Sequence, residues 1–307
     1  MIDSFLKRYA GCQDPRKRLE LRKWADQRLT PLEWAELRAR QPTLPDELVT
    51  WVARFQKLPP SRRTQPQGYR AREITAGISA YSSGSGRPRD KALLLAFAGG
   101  DLGLLMPTHW FLQYLDSDRF DVLILQDFTR AQFALGVRPY STSLSGLLAG
   151  LDQDLGYCAY DALFCCGFSM GGPAALRAGA LTGARRAVSF GGRMRWNIDR
   201  LLTRPAADMP AIDPLCACMR KTCTDFVCVY SADNTIDRDH AEKVAQIVPA
   251  RRLAVPDSDS HNSVYELAKA GRLQGFLDAM FDIPGGQSEM EFLADNFERV
   301  GAPSAGR

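Results

Sequence analysis

The sequence predicts an α/β protein, with a mostly parallel central sheet, helices on both faces, and a small helical region ahead of it. Three observations carry that prediction. From residue 73 onward, seven segments read as strands, most of them unbroken apolar runs. Helix-like segments alternate with them, the pattern of a sheet covered on both faces. Residues 1–57 contain no such run and read as short helices instead.

The seven strand segments are "EITAGISAYSS" (73–83), "ALLLAFAGG" (92–100), "FDVLILQDF" (120–128), "DALFCCGF" (161–168), "RRAVSFGG" (185–192), "DFVCVYSAD" (225–233) and "RRLAVPDS" (251–258). Between them lie helix-like stretches such as "LSGLLAGLDQDL", the small-residue run "GPAALRAGALTG" and "RDHAEKVAQIV". This organisation suggests four parts. Residues 1–57 form a helical region, and 58–72 a linker with three prolines and a basic cluster. Residues 73–283 form the main domain, with 193–222 as a possible small cap because that stretch is long for a simple loop. Residues 284–307 form a tail with one possible helix, expected to pack loosely or to serve as an interaction segment.

In the N-terminal region, Asp14-Pro15 can cap and open one helix, with Leu19, Leu21 and Trp24 as its apolar contacts. Thr30-Pro31-Leu32-Glu33 is a capping box with proline at the first helical position, and Leu29 and Trp34 can staple it. Leu48, Trp51, Val52 and Phe55 make one apolar stripe at helical spacing. Such faces must be buried against the main domain or a protein partner.

Charge is unevenly spread. The 307 residues carry a net +4, but residues 1–72 carry +8 and the remainder −4. The linker arginines have no aromatic interleaving beyond Tyr69, so nucleic acid is not an expected partner. No run of 18 apolar residues exists, so no membrane span is expected, and without a signal-peptide stretch at the N-terminus a cytoplasmic location is the expectation. Free thiols are expected for the eight cysteines. Cys216, Cys218 and Cys223 lack the paired spacing of a zinc site.

The chemistry concentrates in "DALFCCGFSMGG" (161–172). A strand-like run leads into Gly167-Phe168-Ser169-Met170-Gly171, and a small-residue helix follows. That is the arrangement of a nucleophile elbow, where glycines keep side chains away from a serine on a sharp strand-to-helix turn. A serine hydroxyl needs a base, and the chain has three histidines, His109, His240 and His261. His109 and His240 fall in predicted helices, whereas His261 lies in the loop "PDSDSHNS" after the last strand. The orienting acid should close the preceding strand, which selects Asp233, with Asp237 as the alternative. Ser169, Asp233 and His261 then all sit at the C-terminal ends of strands, where open α/β sheets build their sites. "AFAGGDLG" follows an early strand, so the Gly100 and Met170 amides are the expected oxyanion donors, and Asp101 must turn its charge away or pair it. Arg193 and Arg195, at the start of the possible cap, are candidates for binding an anionic substrate group.

Taken together, "GFSMGG", "FAGGD", "YSADN" and "SDSHNS" resemble the α/β-hydrolase superfamily over about residues 73–283. The resemblance implies a Ser-His-Asp triad, no cofactor and acyl transfer, usually to water, from a small-molecule ester or thioester. An acyltransferase with the same triad, or a binding protein that keeps the fold without the chemistry, are the alternatives. Ala98 stands where lipase-like relatives carry a histidine before the oxyanion glycines.

Overall fold

The computed structural model describes residues 1–54, 61–194, 223–283, 292–293 and 297–299. Its centre is one nine-stranded sheet in the order β1-β2-β4-β3-β5-β6-β7-β8-β9. These strands are β1 (Arg70–Thr75), β2 (Ile78–Ser82), β3 (Ala92–Phe97), β4 (Phe120–Leu125), β5 (Ala162–Phe168), β6 (Arg186–Phe190), β7 (Asp225–Ser231), β8 (Arg251–Val255) and β9 (Glu298–Arg299). The run from β4 to β8 is parallel, while β1, β2 and β9 are antiparallel additions at the edges. This is an α/β-hydrolase fold.

Strand residues alternate between two cores, as the two-residue period of a strand requires. Leu94, Ala96, Phe164, Cys166, Val188 and Phe190 face one layer. That layer comprises α5 (Thr108–Tyr114), α9 (Ser263–Lys269) and α10 (Leu273–Met280). Leu93, Leu95, Phe97, Cys165 and Ala187 face the other. Its helices are α6 (Leu144–Leu155), α7 (Gly171–Thr182) and α8 (Thr235–Ile247). Cys165 and Cys166 thus pack on opposite faces, and burial pushes the Cys165 thiol up to about 12. Cys216 and Cys218 lie outside the described residues.

Three readings change. The segment 73–83 is a hairpin, β1 and β2, rather than one strand. The described part of the linker, 61–72, is also tied to the main domain: its last three residues begin β1, and its middle is strapped to the end of α5. Gln113 Nε2 donates to the carbonyls of Arg63 and Gln65, each at 2.9 Å, and the Gly68 amide donates to Ser117 Oγ at 3.1 Å. Arg63 pairs with Asp116 at 3.1 Å, and Tyr69 is buried. In the tail, the described residues 292–293 and 297–299 pack on the main domain. Phe292 and Phe297 are buried beside Phe276 of α10, and β9 pairs with β8.

The N-terminal helices are α1 (Ile2–Ala10), α2 (Pro15–Arg28), α3 (Pro31–Ala39) and α4 (Asp46–Arg54). Asp14 caps α2, and Thr30 and Glu33 form the reciprocal capping box of α3. Leu19 is the exception among the expected apolar contacts, being exposed. Phe5, Ala25, Leu37, Leu48, Trp51 and Val52 form a separate small core. It docks on α5, where Trp34 stacks on the His109 ring with centroids 3.9 Å apart. Thr108 Oγ1 donates to the Gln27 carbonyl at 2.9 Å, and Arg28 pairs with Glu73 at 2.8 Å. The apolar stripe of α4 is therefore spent inside the chain, and the sequence argument for a protein partner on that stripe lapses; Phe55 lies outside the described residues. Among the described residues no helix is long and apolar enough to cross a membrane.

Burial pushes the Asp26 carboxyl of α2 up from 3.8 to about 6, against the pull of Arg54. The folded state then holds a proton that the unfolded chain has released, so the contribution of Asp26 to stability is greatest below about pH 4 and is lost as pH rises through about 6. Asp26→Asn should flatten this dependence and raise stability at pH 7.5 by about 1–3 kcal/mol, read from denaturant midpoints between pH 4.5 and 7.5.

Candidate active site

Ser169 follows β5 directly, with φ +51°, a left-handed backbone that costs an ordinary residue about 1–2 kcal/mol. Packing holds it there. A Cβ at Gly167 would lie 2.1 Å from the Gly171 carbonyl oxygen, and one at Gly171 would lie 2.2 Å from that of Phe97. The chain can cross over itself at this point only without side chains. The Ser169 amide donates to the Phe190 carbonyl at 2.8 Å, and α7 begins two residues later with its first turns buried.

His261 reaches this serine from the loop between β8 and α9. Its Nε2 lies 2.8 Å from Ser169 Oγ, and its Nδ1 lies 2.7 Å from Asp237 Oδ2. An ionised carboxylate can only accept, so Nδ1 carries the proton and Nε2 accepts from the serine hydroxyl. The loop is stitched in place. Asn262 Nδ2 donates to the Leu105 carbonyl at 2.6 Å, and the Asp233 amide donates to the Ser258 carbonyl at 2.9 Å.

The acid is the main correction. Asp233, expected as the orienting carboxylate, is exposed in the turn after β7, and only its backbone is engaged with the histidine loop. Asp237 stands one helical turn further on, in the first turn of α8, and is 2% exposed. Asn234 caps α8 by accepting from the Asp237 amide at 3.0 Å, which fixes this carboxylate over His261. A helix N-terminus also favours a negative side chain. The sequence signal was Asn-Thr-Ile-Asp, a capping residue with a carboxylate three positions later.

Arg193 is the second correction. Its Nε donates to Asp237 Oδ1 at 2.6 Å, which gives it a partner inside the chain where the sequence suggested a substrate. Gln132, wholly buried, holds the Arg193 carbonyl at 2.7 Å. The buried Asp237 thus has both oxygens occupied, one by Arg193 and one by His261. Arg195 and the remainder of the possible cap, 195–222, lie outside the described residues.

The expected oxyanion residues lie beside the serine. A Cβ on Gly99 would be 3.4 Å from Ser169 Cβ, and one on Gly100 would be 3.3 Å from Met170 Sδ. Met170 is the N-cap of α7, at the positive end of that helix. The Gly99 amide is already bonded to the Gly103 carbonyl at 2.8 Å, which closes the loop 99–103. Asp101 turns its carboxylate into this loop, accepting from the Gly103 amide at 3.1 Å.

The other histidines stay apart from this chain of bonds. His109 is sealed under Trp34, and burial holds its pKa well down, so it is neutral. His240 lies on α8, with its pKa lowered first by burial and then by Lys243 and Arg193. No cluster of metal-ligating side chains is found among the described residues.

No protein-family model and no curated protein sequence matches the chain. Solved structures similar to it in fold include hydrolases and esterases. Dienelactone hydrolase from Anabaena variabilis is 14% identical, with 70% of this chain and 96% of that one covered and a TM-score of 0.45. The propionate-bound esterase Est2 from Thermogutta terrifontis is 14% identical, covering 71% and 95%, with a TM-score of 0.49. Esterase B from Lactobacillus rhamnosis, inhibited by a tributyrin phosphonate, is 12% identical, covering 86% and 90%, with a TM-score of 0.48. At such identities the side chains of this protein carry the chemical argument by themselves.

The strain at Ser169 is measurable. Ser169→Gly should be more stable than Ser169→Ala by about 1 kcal/mol, because only glycine adopts this backbone without cost. Equal denaturant midpoints for the two variants would contradict a strained turn.

Proposed function

We propose that the protein is a serine hydrolase acting on an ester or thioester, with Ser169, His261 and Asp237 as its triad. The observation that carries this reading is the unbroken chain of bonds from Ser169 Oγ through His261 to the buried Asp237 carboxylate. Ser169 Oγ attacks the substrate carbonyl carbon as His261 Nε2 takes the hydroxyl proton. The carbonyl π electrons move to oxygen, where the amides of Met170 and Gly100 receive the negative charge. Collapse expels the alcohol or thiol, which leaves with the proton held by His261, and Ser169 remains acylated. Water then repeats the sequence. Nε2 takes a water proton, the hydroxide attacks the acyl carbon, and Ser169 recovers its proton as the carboxylic acid departs.

Asp237 stabilises the imidazolium formed at each attack and keeps the neutral ring in the tautomer that accepts from serine. Arg193 is a positioning residue. It acts through Asp237 by clamping the second carboxylate oxygen, which limits rotation of the carboxylate away from His261.

Two comparisons test this reading. Ser169→Ala should lower turnover of a short acyl ester by roughly 10⁴- to 10⁶-fold, and unchanged turnover would remove the hydrolase reading. Asp237→Asn should lower kcat by about 10⁴-fold, because an amide can hold the ring in the wrong tautomer. Asp233→Asn should change kcat by less than about fivefold, since its side chain is exposed and outside the chain of bonds. The reverse order of these two effects would return the acid role to Asp233.

A further inference from the structure

A cavity of about 640 Å³ lies between the N-terminal helices and the loops that carry the catalytic groups. One wall is Lys23, Asp26 and Gln27 of α2, with Arg54 of α4. The facing wall is the segment 101–107, which continues the oxyanion loop, together with Asn262, the residue after His261. Gln27 joins the walls by donating to the Asp101 carbonyl at 2.9 Å. The N-terminal region therefore walls a cavity whose other side is built by residues next in sequence to Gly100 and His261, although sequence placed it outside the main domain.

The charges in this cavity are unequal in their commitments. Asp26 faces Arg54 at 3.8 Å, and Asp101 accepts from the Gly103 amide. Lys23 and Arg130 have no carboxylate within ion-pair distance among the described residues, and both are exposed. Apolar surface from Leu105, Met106, Pro107 and Trp110 lies beside them.

Arg130 is also held in an unusual way. Its φ is +57°, and Gln132 and Phe133 follow at +53° and +61°. For residues with side chains such a run is costly and persists only where the surroundings over-determine it. Here the determinant is the buried Asp127. Its Oδ1 accepts from the Thr129 amide at 2.8 Å, and its Oδ2 from the Phe133 amide at 2.8 Å. The Arg130 amide donates to the Asp127 carbonyl at 3.2 Å. A buried carboxylate thus stakes a strained turn that presents one uncommitted guanidinium to the cavity. The same turn reaches the triad acid, because Gln132 holds Arg193.

We infer that this cavity is the subsite for an anion-bearing ester, in which Arg130 and Lys23 pair with a carboxylate of the substrate while the apolar wall takes its carbon skeleton. The inference rests on the hydrolase reading above and names the substrate class of that same site. The guanidinium suits a carboxylate because it can donate two parallel hydrogen bonds. The +8 charge of residues 1–72 favours approach of an anion to this side of the molecule.

The test uses the full chain and two matched pairs of esters. One pair puts the charge on the acyl side, 4-nitrophenyl hemisuccinate against 4-nitrophenyl butyrate. The other puts it on the leaving group, 4-carboxyphenyl butyrate against phenyl butyrate. In at least one pair kcat/KM should favour the anionic member by roughly tenfold, the order expected of two partly exposed ion pairs, and added salt should shrink that ratio. Arg130→Gln and, separately, Lys23→Gln should each reduce the ratio, and the double variant should bring it near one. A ratio measured on one preparation does not depend on the fraction of enzyme folded, so a destabilised variant still reports. Arg89→Gln, at the opposite end of β3, should leave the ratio unchanged. No preference in either pair, or a preference that survives the double variant, overturns the subsite. Absence of turnover on all four esters overturns the hydrolase reading instead, so the two failures are distinct.

Discussion

At the crossing of β5 into α7, three peptide groups lie so close that a single added carbon would overlap two carbonyl oxygens. Gly167 and Gly171 leave that space empty, and the chain reverses there with Ser169 at its tip in a left-handed conformation. Everything else at the site is arranged around this point. The Phe190 carbonyl anchors the Ser169 amide from β6, Gly99 lies beside the serine just after β3, and His261 meets its hydroxyl from the loop after β8. Parallel strands make the convergence possible, because their C-terminal ends all open on one edge of the sheet.

The second constraint is the Asp237 carboxylate. A charge this deeply buried is costly unless its oxygens are satisfied, and here both are, by Arg193 and by His261. The arrangement orders three elements at once: the start of α8, the end of β6 and the histidine loop. The arginine side chain that sequence suggested for a substrate is part of this internal network. Among the described residues of the cavity, Lys23 and Arg130, from an N-terminal helix and from a turn after β4, are the cations without a carboxylate partner.

Much of this was legible in the sequence. The parallel strands announced themselves as solid apolar runs because both faces of each are buried. Ser169 and His261 could be picked out as candidates because few residues have the type and place the proposed roles need: one elbow pattern and three histidines. The first strand was hidden because β1 is an edge strand with mostly exposed residues, so its pattern lacks an apolar run. Asp237 was displaced by one turn because strand ends are readable from hydrophobicity, whereas the direction of a side chain on the next helix depends on its capping geometry. The strap formed by 61–69 was invisible because Gln113 and Ser117, which hold it, lie some fifty positions away in the chain. Contacts of that kind leave no local pattern.

The central claim is that Ser169 is a nucleophile activated by His261. A fluorophosphonate probe followed by peptide mass mapping tests it most directly, because the probe bonds only to a serine whose proton a base removes. The account predicts one adduct, on Ser169, formed far more slowly in His261→Ala. A folded wild-type chain that takes up no probe, or takes it up on another residue, would contradict the account.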